Sequence, residues 1–312
     1  MTSSDGTRGS ETIGLRNLRS RRPRLYSRPL WAVMIGLDLL PWPWGEDILA
    51  HLFAAVALVR GSRRRAAIAW ASQQPGRRAW RLALAVSAFR GRWVARSSLL
   101  GIRRPDDLRR RVAVRGEEHL AAAPGGAILL GFHLGPPNVD VGLRILGHRV
   151  AWLGSARRSR AWSREAWRPL LDPKDNLFPS RRFWSGSLFR ARRLLLDGGA
   201  LFTLADGWSG REVCRVPLPG GHPLMIRAGW LTLWRQTGAR VLPVTTHLEG
   251  RVQVITIHPP LPTPGPHDAD LPSAWPDILG SLVKDYVRRF PEQCPVLPFP
   301  KRPLPGSRVA VS

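Results

Sequence analysis

The chain has 312 residues, with 48 Lys and Arg against 22 Asp and Glu, a formal net charge of +26. At about 100–200 residues per domain this allows one large domain or two small ones, and it is enough chain to bury a core without disulfides. The two cysteines, Cys214 and Cys294, form neither a zinc-ligand pattern nor a disulfide framework, which fits a reducing compartment.

Three of the 48 basic residues are lysines. Codon bias in a GC-rich genome accounts for part of the arginine excess, but each guanidinium is charged whatever its origin. The balance points toward a polyanion: nucleic acid, anionic lipid headgroups or an acidic carrier protein. Nucleic acid fits less well. The arginines form no single stripe with interleaved aromatics, and neither zinc-finger spacing nor an RNA-recognition signature is present. The 14 tryptophans sit mostly beside arginine and apolar residues, a pattern that suits a membrane interface.

Residues 1–28 read as a disordered basic N-terminus. The segment 29–61 holds two apolar runs interrupted by Asp38, Pro41, Pro43, Glu46 and Asp47. Neither reaches the ~20 apolar residues of a spanning helix, and the segment lacks the cleavage site of a signal peptide. An interfacial or shallowly inserted helix pair is expected, with one tilted span or a plain buried hairpin as alternatives. Residues 62–100 read as basic helix, so 29–100 is taken as a membrane-associated helical region, followed by a short helix at 103–110.

From 111 the pattern alternates. Strands are expected at 111–116, 127–132, 149–154, 200–206, 239–246 and 251–257. Helical segments are expected at 117–123, 136–147, 156–171, 186–197, 226–238 and 273–290. A proline loop fills 259–272, and 295–312 is a proline-rich irregular tail. Strands alternating with helices define an α/β fold with a mostly parallel central sheet flanked by helices, spanning 101–294. Ligands in such folds gather at the carboxyl ends of strands, where His133 and Asp206 both fall.

The stretch "AILLGFHLGPPN" places His133 where an apolar strand breaks into a turn. An imidazole titrates near ~6.5 and can take a proton from an alcohol at neutral pH. A second group on its other nitrogen must fix the tautomer and stabilise the imidazolium.

"HLGPPN" resembles the histidine-plus-four-plus-acid box of the glycerolipid acyltransferase superfamily. Taken with "VAVRGEEHLAAAPGGAILLGFHLG", "DGGALFTLADGWSGREVCRVPLPG", "AGWLTLWRQTGARVLPV" and "DYVRRFPEQ", in that order, the chain resembles the lipid A biosynthesis late acyltransferases (lauroyl and myristoyl acyltransferase-like) and their relatives that acylate phosphatidylinositol mannosides, over roughly residues 30–295. The resemblance implies an O-acyltransferase of lipid or glycolipid biosynthesis. His133 would be the general base that moves a fatty acyl group from acyl carrier protein or coenzyme A thioester to a hydroxyl of a glycolipid or lysophospholipid. It further implies the cytoplasmic face of the plasma (inner) membrane, with membrane and lipid acceptor as partners and no nucleic acid. No bound cofactor and no metal is expected, since the sequence has no phosphate-binding loop, dinucleotide fingerprint or metal-ligand spacing.

The family's acid falls five residues after the histidine, where this chain has Asn138. Three readings stay open. Asn138 orients His133, another carboxylate replaces the acid, or the chain is an impaired member that binds lipid or acyl carrier without turnover. Of the other carboxylates, Asp140 lies ~200° around a helix from Asn138 and should face away, leaving Asp206 as the better candidate. For binding, Gly135 leaves a backbone N–H for a developing oxyanion. By the resemblance, Arg181 and Arg182, in an arginine-rich stretch that also holds Arg190, Arg192 and Arg193, and Arg211, just past Asp206, would be forks for phosphate or acceptor. The tail "CPVLPFPKRPLPG" departs from the aromatic and basic tail of the family.

Overall fold

A computed structural model of the chain describes residues 40–99, 109–121, 125–153, 176–177, 184–206, 212–218, 223–262, 272 and 274–298. Three helices come first: α1 (Trp42–Val59), α2 (Gly61–Ala71) and α3 (Ala79–Leu99). The first apolar run, 29–39, lies outside the described residues. The second is α1, and the prolines that interrupt its sequence begin the helix. Pro41 stands at its N-cap and Pro43 in its first turn, where a missing N–H costs nothing. The acids reckoned as interruptions are used as well. Glu46 is 4% exposed and accepts two hydrogen bonds from Arg96 of α3, Nε to Oε1 at 2.9 Å and Nη2 to Oε2 at 3.2 Å. Asp47 meets Arg92 at 3.4 Å and Arg251 at 3.1 Å. Leu49 and Ala50, on the next turn of the helix, are buried. Among the described residues, no helix is long and apolar enough to cross a membrane.

The alternating body follows as β1 (Val112–Arg115), α4 (Glu117–Ala121), β2 (Ala127–Gly131), α5 (Val139–Ile145), β3 (Val150–Leu153), β4 (Asn176–Leu177), α6 (Trp184–Leu196), β5 (Ala200–Leu204), β6 (Glu212–Val216), β7 (Leu224–Arg227), α7 (Leu231–Thr237), β8 (Arg240–Glu249), β9 (Val252–Ile257) and α8 (Ala274–Arg289). Seven of these strands make one sheet in the order β1-β9-β8-β2-β5-β3-β4. All its pairings are parallel except β8 with β9. β6 and β7 form a separate antiparallel hairpin.

Alternation along β2 explains the layers. Ile128 and Leu130 point to one face, where they join Leu82 and Val86 of α3, Leu195 of α6, Leu233 of α7 and Leu279 and Val283 of α8. Ala127 and Leu129 point to the other, against Val139, Val141 and Leu143 of α5. Successive strand side chains alternate faces, so a continuous apolar run in a central strand is what two covered faces require. Each of these buried leucines contributes roughly 1.5–3 kcal/mol.

The expected helix over 226–238 starts late. Residues 224–227 are β7, Ala228–Trp230 is a 3-10 turn, and the helix proper is α7. The β6–β7 hairpin was not legible as strands, because "VCRVPLPGGHPLMIR" has prolines and glycines on both sides of its turn. Residues 103–108 of the helix expected at 103–110, and the whole of the helix expected at 156–171, lie outside the described residues.

On the antiparallel pair, the His258 ring nitrogen Nε2 lies 2.9 Å from Thr245 Oγ1. Burial, then the positive charges of His119 and Arg289, lower the His258 pKa, with Asp285 opposing. The folded chain therefore binds a proton here less readily than the unfolded chain. The stability this site contributes is present above the ordinary histidine pKa of ~6.5 and is lost as pH falls below it. His258→Gln should flatten the dependence of the melting temperature on pH between about pH 7 and about pH 5. An equal slope in variant and wild type would contradict this.

Candidate active site

His133 and Asp206 meet because of strand register. β2 and β5 are adjacent and parallel, with Gly131 opposite Leu204. The ladder runs one step further, since Ala205 N–H donates to the Gly131 carbonyl at 2.8 Å. His133 and Asp206 lie two positions beyond the Gly131–Leu204 pair and so leave the sheet side by side. The His133 ring nitrogen Nδ1 is 2.9 Å from Asp206 Oδ1. The same carboxylate receives the His133 backbone N–H, at 3.0 Å to Oδ1 and 3.1 Å to Oδ2. The side chains are 9% and 6% exposed, which strengthens the interaction relative to water. An ionised carboxylate only accepts, so the neutral imidazole carries its hydrogen on Nδ1 and its lone pair on Nε2.

Asn138 does not share this role. It is the non-glycine residue of positive φ among the described residues, at φ 67°, ψ 41°. Asparagine tolerates this left-handed conformation better than most side chains. Its side-chain amide donates to the Arg96 carbonyl of α3 at 3.1 Å. The expectation that Asn138 orients His133 is thus corrected. The left-handed turn ahead of α5 sends the amide to α3, and Asn138 makes no side-chain cap on its own helix. Asp140 makes its charged contact on its own helix. It is 7% exposed and lies 3.9 Å from Arg144, and burial raises its pKa against the lowering effect of that arginine.

Gly135 is also corrected. Its N–H is already engaged, donating to the Gln293 carbonyl at 2.9 Å, so it is not open to an oxyanion. Glycine is needed there for other reasons. Its φ is +70°, and a Cβ would overlap the Thr246 carbonyl oxygen and approach Tyr286 Oη at 2.6 Å.

Arg181, Arg182 and Arg211 lie outside the described residues. Of the rest of that arginine stretch, Arg190 and Arg193 are exposed, and Arg192 lines a shallow groove between α6 and α7 with Leu188, Phe189, Thr232, Leu233 and Gln236. One arginine not singled out in the sequence is tied by its backbone to the residue before Asp206. Arg227 is half-buried, and its backbone N–H donates to Ala205 O at 2.8 Å, which seats the end of β7 next to Asp206. Its placement depends on the unforeseen hairpin, so no local signal marked it.

The structure thus defines a mixed α/β protein with a histidine–carboxylate dyad at the carboxyl edge of a mostly parallel sheet. No family model matches the sequence, and no curated protein matches it. Among solved structures, the chain is similar to the crystal structure of the 1-acyl-sn-glycerophosphate (LPA) acyltransferase PlsC from Thermotoga maritima. Identity is 14% and the TM-score 0.35, over 78% of this chain and 93% of that one. Likeness of that size carries no inference about activity, and the functional reading rests on the dyad.

Proposed function

We propose that this protein is an O-acyltransferase in which His133 Nε2 takes the proton of an acceptor hydroxyl. The oxygen attacks the carbonyl of an acyl thioester, and the thiol leaves with the proton returned by the imidazolium. The observation that supports this is the contact of His133 Nδ1 with Asp206 at 2.9 Å. It supplies the tautomer and the counter-charge that a general base needs. Asp206 thereby takes the duty that the sequence pattern assigns to position 138. With the Gly135 N–H engaged, positive charge for the developing oxyanion falls to arginine, and Arg227, whose backbone N–H is bound by the carbonyl of Ala205 beside Asp206, is the candidate among the described residues.

The acceptor class in this reading is a glycolipid or lysophospholipid, and the donor is a thioester of acyl carrier protein or coenzyme A. Attachment to an anionic membrane surface on its cytoplasmic side belongs to the same proposal. In its favour, α1 exposes Trp44, Ile48 and Leu52 one turn apart at 66%, 42% and 40%. Exposed Arg63, Arg64 and Arg65 follow on α2. An apolar stripe beside guanidinium groups fits the headgroup region.

The test is acyl transfer by the purified full chain, with both thioester carriers, to a panel of lysophospholipids and glycolipids presented on anionic vesicles. Transfer that His133→Ala abolishes is the expected result. A folded protein that binds the lipids but gives no transfer with any pair, or transfer untouched by His133→Ala, would show that this is not the base of an acyltransferase.

A further inference from the structure

The turn that carries His133 is held from several sides. Besides the Asp206 contacts, Gly135 N–H is bound by the Gln293 carbonyl, Pro137 O accepts from Gln253 Nε2 at 3.2 Å, and Asn138 reaches Arg96. The C-terminal contact has a structural origin. β2 pairs with β8 only as far as Leu130 opposite Pro243, whereas β8 continues to Glu249. Beyond Pro243 the β2-side edge of β8 has lost its ladder, and backbone groups left there need partners. The segment after α8 supplies them. Tyr286 Oη donates to Thr246 O at 2.7 Å. Gln293 then pairs with Leu248 in both directions, accepting its N–H at Oε1 (2.7 Å) and donating from Nε2 to its carbonyl (3.0 Å). Gln293 is 7% exposed, and Phe290 stacks on His247 of β8 with ring centroids 4.3 Å apart. Its side-chain amide therefore acts as one rung of an absent strand, while its main chain holds Gly135.

We propose that Gln293 is a positioning residue for His133. Its side chain fixes the turn Pro291–Gln293 to the edge of β8, and its carbonyl thereby fixes Gly135, two residues after the imidazole. The inference rests on the reading of His133 as the base only where activity is concerned. The clamp itself is read without substrate.

The experiment measures amide hydrogen exchange at Gly135 and the imidazole nitrogen signals of His133 in the full chain, in wild type, Gln293→Leu and Gln293→Glu. In Gln293→Leu, Leu248 loses both side-chain partners. Gly135 exchange should rise about tenfold, the change expected when about one net hydrogen bond is lost. The His133 ring signals should shift or broaden, and kcat should fall with KM little changed. Gln293→Glu gives a more discriminating readout. A protonated carboxyl reproduces the donor and acceptor pattern of the amide, and an ionised one repels Leu248 O. Its Gly135 defect should therefore shrink as pH is lowered, and that of Gln293→Leu should not. His247, Glu249, Tyr286, Glu292 and Cys294 surround the site in every variant, so the leucine protein cancels their titration. Gly135 exchange equal to wild type in folded Gln293→Leu overturns the proposal. Should that variant not fold, a Gln293→Glu defect that does not change with pH overturns it instead. Altered exchange without any acyl transfer leaves the clamp standing and removes the enzymatic reading. Acyl transfer with unaltered exchange does the reverse.

Discussion

Asp206→Asn is expected to lower acyl transfer by about 10³- to 10⁴-fold while leaving the fold intact. The amide oxygen can still accept the His133 backbone N–H, which Asp206 receives at 3.0 and 3.1 Å. The side chain can no longer be acceptor-only toward Nδ1. An amide NH₂ aimed at that nitrogen forces the hydrogen onto Nε2, the atom that must be basic, and the counter-charge for the imidazolium disappears as well. Nitrogen chemical shifts of the ring report the tautomer directly and need no substrate. Asn138→Ala supplies the contrast. Its lost bond is to the Arg96 carbonyl, so transfer should fall less than about tenfold, in line with one net hydrogen bond of about 1 kcal/mol. If Asn138→Ala proved as damaging as Asp206→Asn, the acid would have been assigned to the wrong residue.

Glu46→Ala should be the most destabilising change in the N-terminal helices, costing about 3–5 kcal/mol. The Arg96 side chain is 1% exposed and that of Glu46 5%, so removing the carboxylate strands a guanidinium away from water. Arg96 retains the Arg251 carbonyl at 3.0 Å, which holds no charge to offset it. The melting temperature should drop on the order of 10 °C. Replacing both partners by Leu and Met should recover most of the loss, because a buried pair is costly to break and cheap to exchange for apolar side chains. A melting temperature unchanged in Glu46→Ala would mean that Arg96 is hydrated in solution. The pair also bears on the site, since the Arg96 carbonyl holds Asn138.

Much of the α/β body was legible because its signals are local. The apolar run before His133 is long enough for a doubly covered strand, and the closing helix over 274–289 lies within one residue of the expected 273–290 at each end. The dyad was legible in its ingredients and not in its assembly. That both residues end strands can be read from sequence. That β2 and β5 are neighbours with Gly131 opposite Leu204 is a fact of strand order and register, set by packing over 73 residues of separation. The motif spacing consequently pointed at position 138, whose backbone turns left-handed and whose amide serves α3. Gln293 sat in a quoted segment, "DYVRRFPEQ", without an assigned duty, because what it satisfies is the edge that β2 vacates. Glu46 read as an interrupting charge for the same reason: its partner is 50 residues away.

A base whose counter-ion comes from the adjacent strand makes no electrostatic demand on the residues downstream of it. On the proposed reading, position 138 is released from proton chemistry and is left with the demands of its left-handed backbone and its bond to Arg96.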